Sequence, residues 1–258
     1  MQEEPYIIEK KRKSPKYKTV RRIYAGRLIA AIVIICLLVI GGVLWFSYSD
    51  GKLFVAAREY RYVSMGKYGD ISAASKRADD VIKSGGAGYL YGKSEYKVMA
   101  ACYADKSDAD EVCARLVSAG ETAEVFTASR PAISAEKPKS KAIAALLKEM
   151  LPKPDELFDE LYAVSVKADT KEISEAAALY AVLKMSVTAA SYAEKCSEHE
   201  ERACIYLSKL LGEISESLDK LARTEKNVAQ SVKYTLCEIA DIICVRSEEF
   251  ANKSKNLS

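Results

Sequence analysis

The chain has 258 residues, of which 49% are hydrophobic and 29% are charged, a balance that is ordinary for folded globular proteins. Its formal net charge is +3, and the positive excess is concentrated in the first 27 residues. Because the rest of the chain is slightly acidic overall, the composition argues against an electrostatic nucleic-acid binder. We therefore expect no nucleic-acid partner.

The first two segments of the chain together predict a membrane anchor. In residues 1–27 basic residues outnumber acidic ones by nine to three, and residues 28–46 contain no charged side chain. As a helix, the second segment would reach about 28 Å, which matches the hydrocarbon core of a bilayer. A basic flank stays in the cytoplasm. The prediction is a basic cytoplasmic tail, a single-pass transmembrane helix at 28–46, and extracytoplasmic domains after it.

A cleaved signal peptide is the competing interpretation of residues 28–46. Its apolar core would be about 7–15 residues long and would end at small residues. Here the apolar run is longer and ends at Trp45 and Phe46. We therefore expect an uncleaved anchor in a cell membrane.

A short spacer, 47–57, precedes two similar segments that lie about 35 positions apart. Fully extended, the spacer would reach at most about 40 Å. Each segment has the pattern of a strand, an amphipathic helix and a glycine that can end the helix in the left-handed conformation. A last strand gives the order β-α-β-α-β. The expected strands are 62–68, 96–103 and 122–127, and the expected helices are 71–83 and 109–118.

The two helices of this small domain can cover only one face of its sheet. Side chains alternate along a strand, so a second set should lie on the other face. We expect that face to be open, as a ligand platform or as an ordinary solvated surface. Tyr68 has a second interpretation, in which it packs under the following helix. The candidate site residues are Arg61, Tyr62, Ser64, Tyr68, Lys97 and Met99.

The repeated motif resembles that of the SPOR domain family. Its first copy is carried by Tyr62, Val63, Gly66 and Tyr68, although Ser64 stands where the family usually has glutamine. The second copy is carried by Tyr96, Lys97, Val98 and Tyr103, with Ala101 and Cys102 where Gly-Pro is common. The resemblance covers about residues 58–128.

The resemblance implies a small antiparallel sheet with helices on one face. It also implies binding of peptidoglycan glycan strands that have lost their stem peptides, in single-pass proteins of cell division or sporulation. In such a site Ser64 and Lys97 would hydrogen-bond the sugar, and Tyr62 or Met99 would contact its apolar ring face. A shallow surface would exclude intact stem peptides by their bulk.

The rest of the chain is predicted to be a linker, 129–140, and a helical domain, 141–258. Pro131 and Pro138 punctuate the linker, whereas the helical domain has no proline after Pro154. Apolar residues recur there at helical spacing, which predicts an antiparallel bundle. The same stripes could instead bind a protein partner or a second copy. Three stripes stand out: Ile173, Ala177, Tyr180, Leu183 and Val187; Cys204, Leu207, Leu211, Ile214, Leu218 and Leu221; and Val228, Val232, Leu236, Ile239 and Ile243.

The reactive side chains do not indicate catalysis. Cys196, His199 and Cys204 match none of the strong zinc spacings, and no phosphate loop or nucleophile motif is present. We expect no enzyme activity, no metal and no cofactor. The cysteines after the predicted span could be bridged or could be buried thiols.

The sequence thus predicts an α+β domain plus an all-α domain behind one membrane helix. The expected function is that of an envelope protein that binds stripped glycan strands. The alternative is a non-enzymatic envelope scaffold that acts through protein contacts of the helical bundle.

Overall fold

A computed structural model describes residues 52–255 of the chain. The predicted cytoplasmic tail and membrane helix lie outside these described residues. Within them, the strands are β1 (Lys52–Val55), β2 (Arg58–Tyr68), β3 (Tyr89–Tyr91), β4 (Tyr96–Tyr103), β5 (Glu124–Arg130) and β6 (Ile133–Glu136). The helices are α1 (Ile71–Lys83), α2 (Lys106–Ser118), α3 (Lys141–Met150), α4 (Lys153–Asp169), α5 (Glu175–Ser197), α6 (Arg202–Ala222) and α7 (Val228–Lys255).

Four strands form an antiparallel sheet in the order β3-β4-β2-β5. Tyr62 of β2 lies opposite Cys102 of β4 and Phe126 of β5, so these three side chains share one face. The register between β2 and β4 shifts twice around Ser64. Gly66 lies in this irregular stretch with φ 130°, a conformation that side chains resist. The motif glycine therefore permits the bend in β2.

Helices α1 and α2 belong to the two repeated units, and the ends of α1 show why it forms where it does. The Asp70 carboxylate accepts a hydrogen bond from the Ala73 N–H at 2.9 Å, which caps the N-terminus of α1. Gly85 follows the helix with φ 88°, and Gly120 follows α2 with φ 87°. These left-handed glycines confirm the predicted repeat of strand, helix and glycine. A small core joins α1 to the sheet: Met65, Ala74, Ala78, Val81 and Val98.

The predicted spacer and linker both contain a strand. β1 and β6 pair as a two-stranded antiparallel sheet, with Lys52 opposite Glu136 and Val55 opposite Ile133. Ile133 and Ala135 are buried while the residues between and after them are exposed, which is the alternation of a half-buried strand. The prolines of this segment flank β6 and leave its interior free to pair.

Two of the three predicted apolar stripes lie in the core of the helical region. All members of the stripes on α6 and α7 are buried, as predicted. The prediction that the stripe on α5 lies in the core is wrong, because Tyr180 is 72% exposed and Val187 is 63% exposed. The helix instead packs on α6 through small and medium residues, Ala178, Val182, Met185 and Ala189. Since α5 is apolar on two sides, periodicity alone selected the wrong one.

Of the described residues, only α5 is long and apolar enough to cross a membrane by length and composition. Its buried side contacts the other helices, and Ser186 donates a hydrogen bond to the Ser215 carbonyl at 3.1 Å. One side of α5 therefore packs in the helical region, and its other side is apolar and exposed.

The helical region packs on the second face of the four-stranded sheet. One continuous core runs from Tyr60, Tyr62 and Met99 to the helices, and the described residues 52–255 belong to one compact unit. The prediction that this face is open is therefore wrong over much of its area. The physical reason is its composition, since a face built from large apolar side chains gains free energy when helices exclude water from it.

Candidate functional site

Three of the six predicted site residues have no surface that a ligand could reach. Tyr62, Ser64 and Met99 are each 0% exposed. The Tyr62 hydroxyl donates a hydrogen bond to the Cys237 carbonyl of α7 at 3.2 Å. These side chains lie in the sheet face that the helical region covers, so in this structure they hold two parts of the protein together.

Arg61 and Tyr68 do not lie on the sheet face that the helical region covers. Arg61 alternates with Tyr62 along β2, so it points to the opposite side of the sheet, where its guanidinium pairs with the Glu59 carboxylate. Tyr68 packs against the small core beneath α1, beside Met65. Its alternative interpretation, packing under the following helix, is the one that the structure shows.

Lys97 lies at the end of the sheet face where the side chains are only partly enclosed. Its Nζ is 4.0 Å from the centroid of the Phe126 ring and 3.6 Å from Oε1 of Glu124. Its side chain is 22% exposed, and the Glu124 side chain is mostly exposed. Tyr91 lies opposite Lys97 on the neighbouring strand, so it shares this face. We call Tyr91, Lys97, Glu124 and Phe126 the uncovered end.

The two aromatic rings of the uncovered end pack against the ring of Tyr62. The ring centroids of Tyr91 and Phe126 are 5.1 Å apart. The Tyr62 centroid lies 5.6 Å from that of Tyr91 and 6.1 Å from that of Phe126. Tyr91 and Phe126 are both half-buried and pack against the shared core, so each keeps some accessible surface. Burial raises the pKa of Tyr91. Its hydroxyl therefore remains neutral at physiological pH and can both donate and accept hydrogen bonds.

The sequence patterns missed both rings of the uncovered end. Tyr91 belongs to β3, which has three residues and is too short for periodicity to detect. Phe126 lies in a predicted strand but outside the repeated motif. The position of Phe126 could have revealed it as a site residue. An aromatic residue on an edge strand shares a face with every second residue of the neighbouring strand.

The remainder of the same face is joined to the helices by polar contacts as well as by apolar packing. The Tyr60 hydroxyl donates a hydrogen bond to the Asp155 carboxylate at 2.7 Å, and Arg130 pairs with the same carboxylate at 3.0 Å. Tyr89 donates to the Asp241 carboxylate at 2.6 Å. Burial raises the pKa of Tyr60, of Tyr89 and of Asp241. We call the fully enclosed residues Tyr60, Tyr62, Met99 and Cys102 the covered half.

The cysteines of the described residues are free thiols, of which Cys113 alone is not fully buried. Burial raises the pKa of Cys196 to about 11 and that of Cys244 to about 12. Such thiols stay protonated and unreactive at neutral pH. Within residues 52–255 no group of three or more His, Cys, Asp or Glu side chains could hold a metal ion.

The fold and the repeat define a class of small α+β domain, in which an antiparallel sheet carries two helices on one face. Residues 57–127 match the family model of the SPOR domain. The chain therefore contains a SPOR domain, as the motif resemblance predicted.

Two further comparisons were made with known proteins. One solved structure that matches is the solution structure of the peptidoglycan binding domain of the B. subtilis cell wall lytic enzyme CwlC. It is 24% identical, the match covers 28% of this chain and 94% of that chain, and the TM-score is 0.26. The search of curated proteins gave no match.

Proposed function

We propose that this protein is an envelope protein that binds peptidoglycan glycan strands lacking stem peptides, through the uncovered end of its SPOR domain. One observation carries the proposal. The SPOR domain at 57–127 keeps part of one sheet face accessible, and that part presents two aromatic rings, a lysine and a carboxylate.

The chemistry of the uncovered end suits a sugar chain. The exposed parts of Tyr91 and Phe126 can contact the apolar faces of sugar rings, and Lys97 and Glu124 can bond hydroxyl and N-acetyl groups. The charges of Lys97 and Glu124 offset each other at 3.6 Å, which favours an uncharged ligand over an anion. A glycan with intact stem peptides would meet the helical region beside this surface, so bulk would select for stripped strands.

The cellular setting belongs to the same proposal. An apolar segment at 28–46 behind a basic tail supports a single-pass anchor with the N-terminus in the cytoplasm. Such an anchor would hold the SPOR domain outside the cell membrane, where glycan strands are found. Cell division or sporulation is the wall process that we propose for it, in a binding role without catalysis.

A second candidate function rests on α5. Tyr180, Leu183 and Val187 form an apolar stripe on the solvent side of this helix. A stripe at this spacing is typical of a helix that packs against another protein. In that case the protein would be an envelope scaffold that acts through its helical region.

Sedimentation of the full chain with cell-wall sacculi tests the choice between these functions. Purified protein in detergent is mixed with sacculi that have been treated with an amidase, which removes stem peptides, or left untreated. Glycan binding predicts that at least several times more protein sediments with the treated wall. Equal sedimentation with both walls would overturn the glycan proposal and leave the scaffold as the better account.

A further inference from the structure

A second concave surface lies between the SPOR domain and the helical region, and no residue of the uncovered end lines it. This cleft has a volume of about 500 Å³, which is within the usual range for small-molecule sites. Ile82, at the end of α1, and Ala87 form the wall from the SPOR domain. The opposite wall comes from the end of α6, the turn after it and the first turns of α7.

The cleft contains one aromatic ring that is both exposed and held in place. Tyr234 of α7 is 41% exposed. Its ring meets the ring of Tyr89 edge to face, with centroids 5.3 Å apart and an interplanar angle of 74°. Tyr89 is itself fixed by its hydrogen bond to Asp241. The Tyr234 ring therefore offers a positioned flat surface at a small entropic cost.

Polar side chains lie next to this ring along α7. Residues four apart on a helix lie one above the other, so Gln230, Tyr234 and Glu238 form a line of neighbouring groups. Ser231 and Asn227, which directly precedes the helix, also line the cleft. Together they provide amide, hydroxyl and carboxylate groups, which can donate to and accept from a ligand rich in hydroxyl groups.

The charges of the cleft argue against an anionic ligand. Lys220 and Lys226 line it, but Glu238 lies in the same wall and Lys220 pairs with Glu216 at 2.9 Å. Binding of phosphate or nucleotide typically uses several unopposed basic groups or a glycine-rich loop.

From the ring, the polar side chains beside it and the mixed charge, we propose that this cleft is a second saccharide site. It takes an uncharged sugar bearing hydroxyl and amide groups, whose apolar face stacks on Tyr234 while Gln230 and Glu238 bond its hydroxyl groups. This site shares no residue with the uncovered end, so it can be tested independently of the function proposed above.

Ligand-observed NMR with a soluble tetramer of β-1,4-linked N-acetylglucosamine tests the cleft. The full chain in detergent micelles is compared with Tyr234→Ala, and Tyr180→Ala serves as a control because Tyr180 is an exposed tyrosine outside the cleft. With the uncovered end disabled by Phe126→Ala, we expect saturation transfer from protein to sugar and an affinity that falls about tenfold when Tyr234→Ala is added. Adding Tyr180→Ala instead should leave the affinity unchanged.

Two more variants keep the test decisive. Glu238→Gln removes a hydrogen-bonding carboxylate from the half-buried surface of α7 and should also weaken binding without unfolding the chain, as checked by thermal melting. The uncovered end is proposed to bind the same kind of peptide-free sugar, so each cleft variant is combined with Phe126→Ala, which disables that end and leaves the cleft as the site under test. Absence of tetramer binding would overturn the proposal that the cleft binds a sugar. Equal affinity in Tyr234→Ala and Tyr180→Ala would overturn it as well. Loss of tetramer binding in Phe126→Ala alone would overturn it too, while leaving the function proposed for the uncovered end intact.

Discussion

The covered half and the uncovered end lie on the same face of one small sheet, and they differ in what packs over them. In the covered half Tyr60, Tyr62 and Met99 are fully enclosed by α4 and α7. At the uncovered end Tyr91 and Phe126 have similar chemistry but keep accessible surface. The difference shows that strand alternation decides which side chains share a face, whereas tertiary packing decides which of them can meet a ligand.

The contacts between sheet and helices explain why the covered half is not a ligand platform in this structure. The Tyr60 ring meets the Phe158 ring of α4 at 4.8 Å, edge to face, and its hydroxyl donates to Asp155. The buried hydroxyls of Tyr60 and Tyr62 therefore have partners within the protein, and apolar area is removed from water at the same time. A ligand would have to replace all of these contacts to reach the same side chains.

The largest expected effect concerns Tyr62, which belongs to the covered half. Tyr62→Ala should lower the free energy of unfolding by about 3–5 kcal/mol, because it leaves a cavity under α7 and removes a buried ring. Tyr91→Ala at the uncovered end should cost only about 1 kcal/mol, since its ring is partly in water. Chemical denaturation followed by circular dichroism measures both. Equal losses in the two variants would mean that the helices do not enclose the covered half.

A somewhat smaller effect is expected from the carboxylate that joins the helices to the sheet. Asp155→Ala should destabilise the protein by about 3 kcal/mol, because Arg130 is left with its charge buried and unpaired. Asp159→Ala is a suitable control, since that carboxylate is mostly exposed where it pairs with Arg58, and it should cost less than about 1 kcal/mol. Thermal unfolding of the two variants side by side checks the ranking. A similar small loss in both would show that the Asp155 contacts do not hold the two regions together.

The next effect is a dependence of stability on alkaline pH that arises at the sheet–helix boundary. Burial raises the pKa of the Cys244 thiol to about 12, so the folded state keeps this proton after the unfolded chain has begun to release it near pH 9. Stability is therefore fully present below about pH 9 and is lost as the pH rises toward 12. At pH 10 the loss from this thiol should be about 1 kcal/mol.

Cys244→Ala tests this pH dependence through its slope and not through its absolute stability. The variant loses packing at every pH, but its unfolding free energy should fall less steeply than that of the wild type between pH 9 and pH 11. Urea denaturation at a series of pH values gives both slopes. Parallel curves for the two proteins would show that Cys244 is not buried against the sheet.

The local elements of the SPOR domain could be predicted from the sequence because their signals are local. Gly85 and Gly120 repeat at a fixed offset and adopt the left-handed conformation that ends each helix. The helix of the first unit begins and ends as predicted, at Ile71 and Lys83. The stripe of Leu207, Leu211 and their neighbours is buried for a similar reason, since one side of α6 is apolar and the other is polar.

The arrangement of these elements could not be predicted, since it depends on contacts between distant segments. Alternation placed Tyr62 and Met99 on the second face of the sheet, but no pattern in the sequence indicates that α7 lies over them. The stripe at Tyr180 and Val187 was assigned to the core because α5 has apolar residues on both of its sides. Of the predicted site residues, Lys97 alone lies at the uncovered end.

The most direct test of the account asks which part of the sheet face meets the glycan. Sedimentation of the full chain with amidase-treated sacculi is measured for the wild type, for Phe126→Ala at the uncovered end, and for Tyr62→Phe in the covered half. The second variant keeps the buried ring and removes only the hydroxyl that donates to Cys237. We predict that Phe126→Ala reduces binding about tenfold while Tyr62→Phe binds like the wild type. Retained binding in Phe126→Ala together with reduced binding in Tyr62→Phe would contradict the account, because the glycan would then be reaching the covered half.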